Sequence, residues 1–288
     1  MKEFVKKVIV LVIVTTVCVG IIYSVLGIFD APDTELAKEV FWAKEKALIT
    51  NQCTTVYLGD SVCNQLWSEY DEDIDGICHL GCNQAITLAG SYLLLKDYLE
   101  NNPQTENVYF LVRPQTLAND IWLNYSYQYL VIPFCDSDNM ELLEPETKEE
   151  LYKKFGKIFV ESTFVKRTLL KDNLLMKQYL EKVQKQPEIM EDHRISKTTE
   201  IYLRKMKQLC DEKNVELVVK PNPLSDKEQN YGWDEYEQDI LSMGFDDILG
   251  EFIEKIPYYP VEWFKDDAHF KKEILEQYGD EIRTRVLD

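Results

Sequence analysis

A serine hydroxyl is a poor nucleophile at neutral pH. It becomes useful beside a base that takes its proton, a carboxylate that orients that base, and donors for the oxyanion created by attack. The stretch Thr54 to Cys63, TTVYLGDSVC, offers such a serine: an apolar β-type run breaks at Gly59 and delivers Asp60 and Ser61 to the start of a helix. The chain has 3 histidines, so the search for the base is short. His79 lies in CHLGC and His193 in the polar EDHR, whereas His269 follows Asp266 by three residues in WFKDDAHF, where a terminal helix begins. That spacing lets one short turn bring a carboxylate to imidazole Nδ1 and leaves Nε2 for a serine. Ser61, Asp266 and His269 therefore have the composition and local geometry of a hydrolytic triad. Asp267 is the neighbouring alternative to Asp266 and is expected to point away.

The elements that must position these groups are legible as period and punctuation. TTVYLG, NVYFLV (Asn107 to Val112) and VELVV (Val215 to Val219) are short β-branched and aromatic runs of buried-strand type, and Ile256 to Tyr259 reads as a short final strand. Helical patterns lie between and after them at Val62 to about Tyr70, Asn83 to Glu100, Thr198 to Lys213, Trp233 to Met243 and from the Asp-His motif to about Arg285. Alternating strands and helices predict an α/β fold with a parallel sheet, in which binding residues gather at strand carboxyl ends. Ser61 falls at one such end, and Arg113, Pro114 and Gln115 fall at another. His79 to Gly81 is read as the lead into the second helix. From 122 to 186 the alternation is lost. That insertion either covers a site or contacts a partner, or forms a helical layer on the sheet. The acidic run Asp71 to Asp75 is a solvated turn, because the spacing of a calcium loop is missing.

With 32 Lys and Arg against 51 Asp and Glu, the formal net charge is -19, which repels phosphate backbones and argues against a nucleic-acid partner. Lys2, Lys6 and Lys7 precede an uncharged run, 8–29, long enough to cross a hydrocarbon core. Bulky residues continue to its end, unlike the small-residue cleavage site of a signal peptide, so an uncleaved membrane anchor is expected. Lysines before it and Asp30, Asp33 and Glu35 after it place the N-terminus in the cytoplasm and the rest outside the membrane. The organisation is then a cytoplasmic start and anchor at 1–29, a helical stalk at 30–50 that lifts the domain off the bilayer, and a catalytic domain at 51–288. Of 7 cysteines, Cys18 lies in the anchor. The others are expected as buried thiols or one or two bridges, with no metal site.

The GDS at Gly59 to Ser61 and the D-x-x-H at Asp266 to His269 resemble the first and last blocks of the SGNH or GDSL superfamily of serine esterases and acyltransferases. The resemblance implies a flavodoxin-like three-layer α/β/α sandwich, with Ser61 as nucleophile, His269 as base, and the amides of Ser61 and Gly81 in the oxyanion hole. No metal or organic cofactor is implied. The third donor is open. Where the family has GxND, this chain has Arg113, Pro114 and Gln115; Gln115 occupies the Asn place, Asn83 is nearby in the chain, and the Asn119–Asp120 pair is a second choice. An anchor, a GDS after the stalk and a proline in place of GxND are similar to the DltD-like branch. That implies work outside the membrane on an acylated envelope polymer or acyl donor, with a membrane-bound O-acyltransferase as partner. The rival expectation is a non-catalytic envelope-assembly factor that keeps the fold and binds a glycan or such an acyltransferase.

Overall fold

The computed structural model describes residues 2–25, 37–67, 76–121, 125–163, 165–166, 179, 182–183 and 194–288. His193, the acidic run at 71–75 and much of the second half of the insertion lie outside the described residues. Helix α1 (Lys2–Val25) contains most of the apolar N-terminal run. Among the described residues no helix is long and apolar enough to cross a membrane. The expected span, 8–29, extends past the described residues.

Four short runs form the sheet. Strands β1 (Thr55–Gly59), β2 (Ile77–Gly81), β3 (Asn107–Val112) and β4 (Glu216–Pro221) pair in parallel in the order β2-β1-β3-β4. The chain winds outward from β1 in both directions, so the strand order reverses between β1 and β3, and in such sheets binding residues gather at the carboxyl ends beside that reversal. Those two ends lead directly into Asp60-Ser61 and into Arg113. Strand β5 (Leu224–Ser225) and β6 (Tyr258–Tyr259) form a separate two-stranded parallel ladder, so the expected final strand exists but lies outside the main sheet.

Alternation along the strands sorts side chains into two layers. Val56, Leu58, Cys78, Leu80, Val108 and Phe110 face α2 (Lys38–Ala47) and α4 (Thr87–Asn101), together with the Lys197–Glu212 helix described below. Tyr57, Ile77, Tyr109 and Leu111 join Val62 and Leu66 of α3 (Ser61–Trp67), with Ile282 and Val286 of the C-terminal helix, on the opposite face. The fold is thus a layered α/β/α arrangement about a parallel sheet. On α4, Leu93, Leu94 and Leu95 are fully buried, each stabilising the layer by about 1.5–3 kcal/mol.

Two expectations need correction. The Ile77–Gly81 segment is a strand, paired along its length with β1, rather than the lead into a helix. The run ICHLG has one β-branched residue and a central histidine, too weak a strand signal by itself, and the pairing is a tertiary event. The described part of the segment expected to be a stalk, 37–50, is part of the domain, because Val40, Ala43 and Ala47 of α2 are fully buried in the same core as α4. The described part of the insertion is a helical layer, one of the alternatives expected for it. Helix α5 (Pro114–Leu117) precedes the insertion, in which a π-helical turn (Tyr127–Val131) leads into α6 to α9 at Ile132–Phe134, Ser137–Leu142, Pro145–Phe155 and Lys157–Glu161. Tyr127, Leu130, Phe134, Leu151 and Phe155 enter the main core. Further helices among the described residues are α10 (Lys197–Glu212), α11 (Trp233–Ser242), α12 (Asp246–Leu249) and α13 (Lys272–Leu287). All 7 cysteines are unbridged, and the six beyond α1 are buried thiols.

Candidate active site

Ser61 is the first residue of α3, and His269 sits in the loop before α13. His269 Nε2 lies 2.9 Å from Ser61 Oγ, although the two residues are 208 positions apart. On its other side, His269 Nδ1 is 3.0 Å and 3.1 Å from the two carboxylate oxygens of Asp266. An ionised carboxylate only accepts, so Nδ1 carries the ring proton and Nε2 is the acceptor for the serine hydroxyl. Asp266, not Asp267, is the carboxylate on the imidazole.

Local chemistry holds that pair. Asp266 Oδ1 accepts the backbone N–H groups of Ala268 at 2.9 Å and His269 at 2.8 Å, a tight turn that only a short acidic or amide side chain makes. Partial burial pushes the Asp266 carboxyl up, but the N–H groups of His269 and Ala268 and the imidazole outweigh it, and its pKa lies below the ordinary carboxylate value. Around this turn the chain is a small hairpin. Lys265 N–H donates to His269 C=O and Lys271 N–H to Trp263 C=O, each at 2.8 Å, while the rings of Phe264 and Phe270 stack at 4.5 Å.

Beneath the serine, Asp60 does more than the sequence motif discloses. It is 3% exposed, and its carboxylate accepts from Val62 N–H (3.0 Å), Cys63 N–H (3.3 Å), Arg113 N–H (2.7 Å), Thr116 Oγ1–H (2.8 Å) and Asn222 Nδ2–H (2.9 Å). Two of these cap α3. The others tie the cap to the carboxyl ends of β3 and β4, so the turn bearing Ser61 is fixed from three strands. An Asp before a helix-opening Ser reads as a cap in sequence; Thr116 and Asn222 carry no sequence signal for this role.

Glycine is required at both neighbouring strand ends. A Cβ on Gly59 would lie 1.9 Å from the Leu111 carbonyl oxygen, and one on Gly81 would lie 2.6 Å from Asn64 N of α3. The Cys82 N–H donates to Gly59 C=O at 3.1 Å. In a parallel ladder successive N–H groups alternate sides, so the Gly81 N–H faces away from β1 and is not used by that pairing.

The other expected donors are directed elsewhere. Asn83 caps the turn before α4, accepting Ala85 N–H at 2.9 Å, and its Nδ2 points at Glu39 Oε1, 3.4 Å away on α2. Gln115 Nε2 donates to Glu228 Oε2 at 2.5 Å. Arg113 donates from one terminal nitrogen to Glu228 Oε1 at 3.2 Å and to the Asp267 carbonyl at 3.1 Å. Arg113 therefore reaches the Asp-His loop as a brace. Glu228, which sequence reasoning did not single out, gathers Arg113 and Gln115. The Asn119 carbonyl and the Asp120 carboxylate serve the α10 cap: Ser196 Oγ donates to Asn119 C=O at 2.8 Å, and Thr198 donates to Asp120, while the Asn119 side-chain N–H groups are buried without a hydrogen-bond partner among the described residues. His79 is 1% exposed and packs on Trp42, with ring centroids 4.9 Å apart, which removes it as an alternative base.

No protein-family model matches the chain, and no curated protein matches it. Among solved structures, it is similar to a Bacteroides fragilis protein described as a "putative acylhydrolase", at 11% identity over 88% of this chain and 96% of that one, with a TM-score of 0.39. It is also similar to a Streptococcus pneumonia protein described as a "putative platelet activating factor", at 10% identity over 86% and 92%, with a TM-score of 0.34. At such scores neither likeness bears on function.

Proposed function

We propose that this chain is a serine esterase or O-acyltransferase of SGNH type, anchored at the membrane and acting on acyl esters of a cell-envelope polysaccharide or teichoic-acid-like polymer. One observation carries the acyl chemistry: the 2.9 Å contact between Ser61 Oγ and His269 Nε2, with Asp266 on the opposite ring nitrogen. Ser61 attacks an ester carbonyl while His269 Nε2 takes its proton, and Asp266 stabilises the imidazolium. The N–H groups of Ser61 and Gly81 serve the oxyanion; Asp60 holds those of Val62 and Cys63, not that of Ser61. His269 then returns the proton to the leaving alkoxide. The acyl-enzyme passes to water in an esterase or to a polymer hydroxyl in a transferase.

The setting outside the membrane rests on the sequence: three lysines, the uncharged run 8–29, acidic residues after it, and Pro114-Gln115 in place of GxND. Retention of the full chain in carbonate-washed membranes, lost on deleting 1–29, tests the anchor. The chemistry is tested by a p-nitrophenol burst from p-nitrophenyl acetate that disappears in Ser61→Ala. The rival, a non-catalytic envelope-assembly factor, is favoured by one observation: the side-chain amides of Asn83 and Gln115 are both engaged away from the triad. Folded wild-type chain with no burst, yet with binding to an envelope glycan, decides for the rival.

A further inference from the structure

Gln65 lies on α3 four residues after Ser61, hence on the same helical face one turn along. Its side-chain amide makes two bonds to one backbone unit beside the candidate base: Gln65 Nε2 donates to Phe270 C=O at 2.9 Å, and Phe270 N–H donates to Gln65 Oε1 at 2.9 Å. The hairpin explains why that unit is open to it. The bonds from Lys265 to His269 and from Lys271 to Trp263 straddle the Phe264–Phe270 pair, so the N–H and C=O of Phe270 face out of the hairpin. They face α3, and the Gln65 amide pairs with them as a neighbouring strand would.

We infer that Gln65 is the positioning residue that sets the register of His269 against Ser61. Nucleophile and base come from distant parts of the chain; the Asp266 turn shapes the His269 loop internally, Arg113 braces it at the Asp267 carbonyl, and Gln65 ties it to the helix that carries Ser61. A primary amide is the side-chain group that donates and accepts side by side, which suits it to a backbone N–H and C=O of one residue. Gln65 also shares a rigid turn of helix with Ser61, so any displacement of the helix carries both bonds and nucleophile together. The inference rests on the serine-esterase reading for its catalytic consequence, but the clamp itself is a backbone contact with its own readout.

The test uses the full chain with Gln65→Ala and, as a variant that keeps side-chain volume, Gln65→Met. Amide hydrogen exchange at Phe270 and the inactivation of Ser61 by a fluorophosphonate probe are measured on each. The Phe270 amide should exchange at least about tenfold faster, while the amides of Ile77 to Gly81 are unchanged. The maximal inactivation rate should fall about ten- to a hundredfold with the half-saturating probe concentration unchanged, the size expected when a catalytic pair is misplaced by about an ångström. A merely structural role would instead lower the folded fraction and leave the rate per folded molecule untouched. An unchanged Phe270 exchange rate, or faster exchange with an unchanged inactivation rate, overturns the inference. If wild-type chain is inert to the probe, the esterase reading falls on its own. The clamp is then judged by the His269 imidazole nitrogen signals: a shift at Nε2 in Gln65→Ala supports it, and no shift overturns it.

Discussion

Asp60 and Asn222 meet at 2.9 Å across 162 residues of sequence, and that contact joins the turn under Ser61 to the end of β4. Asn222 is fully buried and donates from the same nitrogen to the Leu111 carbonyl at 2.9 Å. Replacing Asp60 by Asn keeps the shape but turns an NH2 group toward groups that all donate. That loss should cost about 2–4 kcal/mol, since each buried donor left without its acceptor costs about 1–3. Asn222→Ala leaves Asp60 four of its partners and should cost about 1–3 kcal/mol. Urea unfolding of the isolated variants checks both, with Asp60→Asn the larger effect.

The pair Arg113–Glu228 should show strong coupling. The two side chains are 12% and 19% exposed, between a surface pair and a buried one. Glu228→Ala leaves the guanidinium without its counter-charge and Gln115 without its acceptor. We expect a loss of about 2 kcal/mol. Adding Arg113→Met to that variant should recover about 1 kcal/mol, because the second change removes the stranded charge. A double-mutant cycle in chemical denaturation measures the coupling, and strict additivity would contradict the bridge.

Asn83 provides a contrast to the residues around the triad. Its amide caps the turn before α4 and faces Glu39, so Asn83→Ala should lose about 1 kcal/mol of stability, the usual value of a cap. Ser61 acylation per folded molecule should stay within about twofold of wild type. A large drop in acylation, measured beside the stability loss, would return Asn83 to the oxyanion site.

Acid should destabilise the domain through His79. Burial, and then the charge of Lys46, lower its pKa to about 4, against about 6.5 in an unfolded chain. Between those values the unfolded chain binds the extra proton, so stability rises with pH across the window and is fully present above it. The contribution lost on acidification from pH 7 to below pH 4 is about 3 kcal/mol. His79→Leu should remove that part of the slope, read by comparing urea midpoints of the two proteins at pH 4 and pH 7. Asp266 works in the same direction at its own lower range: its folded pKa is depressed, so its share is present above the ordinary carboxylate range and fades as pH falls.

What could be read from sequence divides along physical lines. Ser61, Asp266 and His269 stand at positions where local rules operate, a strand breaking at glycine and a short acidic turn at a helix mouth, and the structure brings the three together. Strands β1, β3 and β4 are apolar runs long enough to declare themselves. Strand β2, ICHLG, is no shorter than β1 but lacks its β-branched and aromatic run, having only Ile77 of that type and a histidine at its centre, so its identity comes from pairing with β1. The roles of Gln65, Thr116, Asn222 and Glu228 were not legible for a related reason. Each is an ordinary polar residue made specific by a partner far along the chain, such as Gln65 with Phe270, 205 residues away. The commitments of Asn83 and Gln115 were hidden in the same way, since an amide's donor is assigned only when its acceptor is known.

The most direct test of serine acyl chemistry is covalent labelling of the folded full chain with a fluorophosphonate, mapped by peptide mass spectrometry. One adduct is expected, on Ser61, abolished in Ser61→Ala and slowed by about a thousandfold or more in His269→Ala. Folded wild-type chain that stays unlabelled at every pH, or that labels at the same rate without His269, would contradict it.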